Sequence, residues 1–276
     1  MSDATGRPFA NTAERSLTDR AGEYLLQSWA VAAAEVQKLI HDPLELVTRA
    51  VQPVLWLMLF GEVMARVHGI APGNLPYIDY LAAGILAQSA LFVAIFYGIA
   101  AIWERDLGVL QRYLSSPAPR SALVLGKAVS AGVRALSQAV IVYALAILLG
   151  VGLSFNPLDM LGVAAVIVIG SALFSTLSLI IACIVKTRER FMGIGQVMTM
   201  PIFFASNAIY PVSLMPDWLK AAAHVNPLTY QVDALRSLML KAATSEYGMA
   251  VDFAVLIATT AVLTAIAARM YPRLGY

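Results

Sequence analysis

Long apolar runs alternate with short charged ones along this chain, and most runs have the length of a bilayer crossing. Read at about 20 helical residues per crossing, they predict six spans, over residues 46–65, 80–102, 121–153, 158–185, 191–210 and 249–268. The third exceeds one crossing. Lys127 and Arg134, seven apart and so on one face, are expected to snorkel where its first turns leave the hydrocarbon. Pro53 falls inside the first span and Pro201 inside the fifth, where a missing amide frees a carbonyl and permits a kink.

Three other stretches carry a mixed pattern. Over residues 22–41 the apolar positions Leu25, Trp29, Ala32, Val36, Leu39 and Ile40 recur every three to four residues among Gln27, Glu35 and Lys38. This predicts an amphipathic helix too polar to cross, lying on the membrane surface with its Trp at headgroup level. Asp42-Pro43-Leu44-Glu45 then reads as a fresh helix start, with Asp42 capping and Pro43 at the first helical position. Residues 103–120 place Glu104, Arg105 and Asp106 ahead of Leu107, Leu110 and Leu114 at helical spacing, and Pro117 and Pro119 stop any helix there. By pattern alone this is either a short amphipathic helix or a solvated loop with one apolar side. Residues 212–245 mix apolar and charged positions in segments too short to cross, two of them starting at Pro216 and Pro227. They predict short helices, re-entrant or interfacial, before the last span.

Composition turns the pattern into a class. Of 276 residues 59% are hydrophobic and 13% charged, with mean hydropathy +0.73, whereas soluble domains carry about 25% charged residues. The expected fold is an all-α, polytopic membrane protein forming one domain over residues 1–276. One cysteine, Cys183, leaves no partner for an intrachain disulfide. The first twenty residues lack an apolar core, so no cleaved signal peptide is expected. Charge sets the orientation. With the N-terminus inside, the cytoplasmic side takes Arg7, Arg15, Arg20, Lys38, Arg49, Arg105, Arg112, Arg120, Lys127, Arg134, Lys186, Arg188, Arg190, Arg269 and Arg273. That is fifteen cations against four outside, Arg66, Lys220, Arg236 and Lys241. The positive-inside rule then puts both termini and residues 103–120 in the cytoplasm, and residues 215–236 outside.

Little chemistry is available. The Gly126-Lys127 pair is followed by Ala128 and has Ser121 where a P-loop needs Gly, so ATP is not bound by that route. His41, His68 and His224 lie far apart without ligand-spaced partners, and no metal site is expected. Ser171 and Ser206 have no base beside them and read as helix-packing residues. Glu62 is the one acid read as inside a span, near its outer end. No catalytic, cofactor or metal residue is assigned. Ion-coupled carriers keep paired ionisable groups near the bilayer centre, and spans this bare imply that the driving force comes from another chain.

Two motifs carry a resemblance. One is the charged loop Glu104…Gly108…Leu110…Leu114-Ser-Ser-Pro117. The other is Met215-Pro216-Asp217-Trp218-Leu219 followed by Asn226-Pro227-Leu228-Thr229-Tyr230, Asp233 and Arg236. With the flat N-terminal helix and six spans, almost the whole chain resembles the membrane subunit of type-2 ABC exporters, nearest the daunorubicin-resistance and nodulation-factor branch. The resemblance implies the permease of an exporter for an amphipathic drug-like, lipid or glycolipid compound. Polysaccharide or lipooligosaccharide export is its alternative, and a non-transport or ion-coupled membrane protein of the same architecture is the rival class. It further implies a bacterial inner-membrane location, a homodimer, and two copies of a separate cytoplasmic ATPase that holds ATP and Mg; nucleic acid has no part. By the same resemblance Glu104, Arg105, Asp106, Gly108, Leu110, Arg112 and Leu114 would enter the ATPase, flanked by Glu35 and Lys38. Trp218, Asn226, Pro227, Tyr230, Asp233 and Arg236 would form an external gate. Trp56, Met58, Phe96, Phe203 and Phe204 are the candidates for a substrate path.

Overall fold

Where no water is present to bond the backbone, apolar runs of this length satisfy their amides internally as helices. The computed structural model describes residues 48, 51–66, 75–107, 120–185, 187–241 and 243–270. Its helices are α1 (Val51–Ala65), α2 (Tyr77–Tyr97), α3 (Ile99–Asp106), α4 (Arg120–Leu148), α5 (Pro157–Ile184), α6 (Arg188–Phe204), α7 (Asp217–Val225), α8 (Pro227–Met239) and α9 (Met249–Met270). The expected surface helix over 22–41, with Glu35 and Lys38, lies outside the described residues. So do Gly108, Leu110, Arg112 and Leu114, and the side chains of Glu104 and Arg105.

Four stretches are long and apolar enough to cross a membrane: Tyr77–Trp103, in which α2 runs on into α3, Lys127–Leu148, Pro157–Ile184 and Met249–Met270. The other two expected spans are shorter. α1 spans 15 described residues, seven of them, Leu55–Gly61, wound as a π-helix just after Pro53. α6 stops at Phe204 rather than near Tyr210, after 17 residues or about 25 Å. The third span also ends early, at Leu148, because Gly150 takes a left-handed conformation (φ +73°) that turns the chain.

α2 and α5 form the centre. Each packs on the other and on α4 and α8, and α5 also packs on α9. Small residues let them meet closely. Gly98, at the joint between α2 and α3, lies under Ser178 of α5, whose hydroxyl donates to the Ile95 carbonyl. Gly132 of α4 lies against Val168 of α5. Arg134 and Lys127 are half-buried, and the Arg134 guanidinium lies 5.3 Å from the centre of the Tyr97 ring.

α8 is the unusual member. It packs on α2, α5 and α9 at once, and Leu228, Thr229, Gln231, Val232, Asp233, Ala234, Leu235 and Met239 are buried. Gly162 of α5 faces Leu238, whereas Gly170, about 12 Å further along α5, faces Gln231. The start of α8 therefore lies deepest, and the helix climbs back out. Its far end is stitched to the turn between α4 and α5: Ser154 N–H donates to the Met239 carbonyl (2.8 Å) and Lys241 N–H to the Gly152 carbonyl (3.1 Å). α8 is thus set within the bundle, among α2, α5 and α9, rather than laid along its outside.

Candidate functional site

The site is built around the place where α6 stops. A helix leaves its last four carbonyls without intrahelical partners, and here each finds one. Pro201 O accepts from Ala205 N–H, and Phe203 O from Ser206 N–H and its hydroxyl. Phe204 O accepts from the Tyr210 hydroxyl at 2.6 Å, and Ile202 O from Asn226 Nδ2, also at 2.6 Å. The Asn226 amide makes a second bond to Ala205 O (3.1 Å), and its Oδ1 accepts from Leu228 N–H at the start of α8. Asn226 is thus the N-cap of α8 and the C-terminal stop of α6 in one side chain, with Pro227 at the first helical position where its missing donor costs nothing.

Residues 206–209 are buried and non-helical, which a membrane interior tolerates only when protein surrounds the backbone. The anchors come from α2. Tyr77 donates to Ile209 O (2.9 Å) and Tyr80 to Asn207 O (2.8 Å). Gly84 lies directly under Ala208. Arg236 of α8 adds a second donor to Asn207 O at 2.8 Å, with its guanidinium 3.7 Å above the Tyr80 ring. A charge-assisted bond and a cation–π contact in one buried place hold α8 to α2 through this loop.

Asp233 and Arg236, two of the expected gate residues, are buried at 1% and 6% exposure. They diverge. Asp233 Oδ2 accepts from the amides of Glu246 (2.8 Å) and Tyr247 (3.0 Å) and from the Ser245 hydroxyl (3.0 Å). It thereby folds the linker between α8 and α9 onto α8. The Ser245 hydroxyl also lies 2.9 Å from Asp252 Oδ2, and Asp252 is fully buried one turn into α9. Reading Glu62 as the one acid within a span overlooked this residue; Glu62 itself is exposed.

The remaining expected gate residues separate. Tyr230 donates to His224 O (2.8 Å) and contacts the Tyr247 ring, its centroid 5.1 Å away, whereas Trp218 is 72% exposed on α7. Burial first, then Glu246, pushes the Tyr247 phenol up to about 12. The folded chain keeps that proton to higher pH than an unfolded chain, which titrates near 10. Stability from this site is therefore intact below pH about 10 and is lost as pH rises toward about 12. Alkaline melting curves should show that loss, and Tyr247→Phe should flatten it.

Of the expected path residues, Trp56, Phe203 and Phe204 meet. Trp56 lies 5.5 Å from Phe203 and 6.4 Å from Phe204, edge to face, brought there by the widened segment of α1. Met58 is half-exposed on another side of α1, and Phe96 stacks on Phe92 along α2. Sequence reasoning missed the polar side chains lining the seam of α8. Gln231 presses its amide on Gly170, and its two amide atoms, those of Asn207, and the Ser171 and Thr229 hydroxyls are buried without partners. Gln231 and Thr229 stood inside the quoted motif, but no spacing rule ties them to Gly170.

At the opposite end of the bundle, Asp106, the last residue of α3, accepts from Arg188 Nε (3.0 Å) and Nη2 (2.8 Å) through the same Oδ2. The Arg188 guanidinium lies 4.0 Å from the centre of the Trp103 ring. The first residue of α6 is therefore clamped to the base of the charged loop 103–120. Sequence reasoning assigned Asp106 to a contact with another chain and gave Arg188 no role beyond the charge count.

A family model described as ABC-2 type transporter matches residues 26–240. The chain is 28% identical over 207 residues to a putative transport permease, ycf38, of Cyanophora paradoxa, covering 73% of this chain and 70% of that one. It is also 28% identical over 182 residues to nodulation protein J of Sinorhizobium fredii, covering 65% of this chain and 66% of the other.

Proposed function

The chain belongs to the ABC-2 type transporter family, and from that premise we propose that it is the permease half of an ATP-driven exporter for an amphipathic drug-like, lipid or glycolipid compound. It is a multi-pass membrane subunit rather than a catalytic one. In this reading α1 and α6 complete six spans, both termini face the cytoplasm of a bacterial inner membrane, and two copies flank the path. The apolar face of α1 formed by Leu55, Leu59 and Val63, each at least half-exposed, is what the second copy covers. Two copies of a cytoplasmic ATPase, holding ATP and Mg, grip residues 103–120.

The observation that carries the reading is the seam of α8. A wedge buried among three helices, with polar side chains facing the seam unpartnered, is stable packing at a cost. That cost is recovered if the seam meets water or a polar headgroup in another state, as an outer gate does. Trp56 and Phe204, both partly exposed and packed on the buried Phe203, supply an apolar surface for the rest of an amphiphile.

Reconstituted with its ATPase in liposomes of its native lipid, the subunit is expected to move labelled amphiphiles only when ATP is hydrolysed. Transport that continues with a hydrolysis-dead ATPase would sink the proposal. Gly108→Pro, by fixing φ and removing an amide donor in the charged loop, should lower transport by about tenfold or more while hydrolysis persists.

A further inference from the structure

We infer that α6 is the rod that carries displacement of the charged loop to the α8 wedge, with Arg188 and Asn226 as its two joints. The inference rests on the exporter reading above and adds the route by which its two ends communicate.

The rod is held at both tips by directional bonds and along its body by little. Its first residue, Arg188, sends two N–H groups to Asp106 and stacks on Trp103, so it follows α3 and the loop that continues from it. Its last carbonyls receive the Asn226 amide, whose oxygen caps α8. Between the joints, Phe191, Gly195, Thr199 and Phe203, one residue per turn, are all that is buried. Four of 17 residues are buried in α6, against 15 of 21 in α2. Apolar contact along one stripe lets a helix shift with little repacking, whereas a hydrogen bond fixes its partner's position.

The covalent alternative is α2, which also runs between the two ends. It is enclosed by α4, α5 and α8, and at Gly98 its bonding changes to i→i−3, Gly98 N–H to Ile95 O (3.2 Å) and Ala101 N–H to Gly98 O (3.1 Å), a local joint before α3. A push on the loop is therefore relieved at that joint, while α6 receives the same push through Asp106 beyond it. Asn226 then passes it to the deepest turn of α8. Arg188 and Asn226 are positioning residues in this scheme; neither needs to touch cargo.

The test uses the complex with its ATPase in nanodiscs, the chain carrying Cys183→Ser and Val225→Cys as a reporter. Val225 is 84% exposed and adjoins Asn226. The reading is the change in its labelling rate by an impermeant maleimide when nucleotide is trapped. Arg188→Asp or Asp106→Arg alone should shrink that change by at least about fivefold, the low end of measured couplings. ATP hydrolysis should persist, and the double exchange should restore most of the response. Asn226→Asp keeps the oxygen that caps α8 and removes both donors to α6, so it should give the same loss with the fold retained. Single reversals that leave the nucleotide response intact, a double exchange that fails to restore it, or an unaffected Asn226→Asp would each overturn the inference. No nucleotide response in the reporter chain with both joints intact would overturn the exporter reading itself, and this route with it.

Discussion

Gly84→Ala is expected to prevent the loop after α6 from docking on α2, with a loss of about 3 kcal/mol of stability. A methyl at Gly84 would lie 2.2 Å from the Ala208 carbonyl oxygen, 2.8 Å from its carbon and 2.9 Å from its Cα. All three are backbone atoms, so no side chain can rotate away to make room. The loop must lift, and lifting it strips Asn207 O of Tyr80 and Arg236 and Ile209 O of Tyr77. Gly193→Ala is the matched control, because nothing lies within 4 Å of a Cβ there. Thermal unfolding of the two variants in one detergent checks the claim; equal midpoints would refute it.

Asp233→Ala should cost about as much, for a different reason. The carboxylate oxygen satisfies two buried-side amides and a hydroxyl at once. Truncation leaves the two amides without an acceptor, while the Ser245 hydroxyl keeps Asp252; each lost amide bond costs roughly 1–3 kcal/mol when it is kept from water. Asp233→Asn retains an acceptor oxygen in place and should recover part of the loss. Hydrogen exchange gives a local reading: the Glu246 and Tyr247 amides should be protected in the parent and should exchange at least about tenfold faster in Asp233→Ala. Exchange unchanged at those two amides would show that the linker is held by something else.

These effects also mark how far the sequence could be read. Hydropathy found the long helices, because burying or lipidating twenty apolar residues leaves the backbone no other choice. It overran the fifth, since residues 205–210 are apolar enough to continue a span while Asn226 and Tyr210 terminate the helix from outside it. Asn226 and Pro227 were legible as a helix start because capping is local. Arg236 and Asp233 were not, because their partners lie 29 and 12 to 14 positions away. The same holds for Gln231 on Gly170, a contact made by helix crossing rather than by spacing. Asp252 hid in a span whose average hydropathy absorbs one acid near its end, and only its bond to Ser245 shows why it is tolerated there.

The two ends of α8 are fastened unequally. Where it meets the turn after α4, main chain is sewn to main chain through Ser154, Met239, Gly152 and Lys241; where it begins, its hydrogen bonds to α6 come from one amide side chain. An element secured in this way pivots like a hinged flap, swinging widest at its free edge. The widest opening would then lie at the start of α8, beside the end of α6, and narrow toward Met239. For the exporter proposed above, such a taper favours long, slender molecules over bulky round ones.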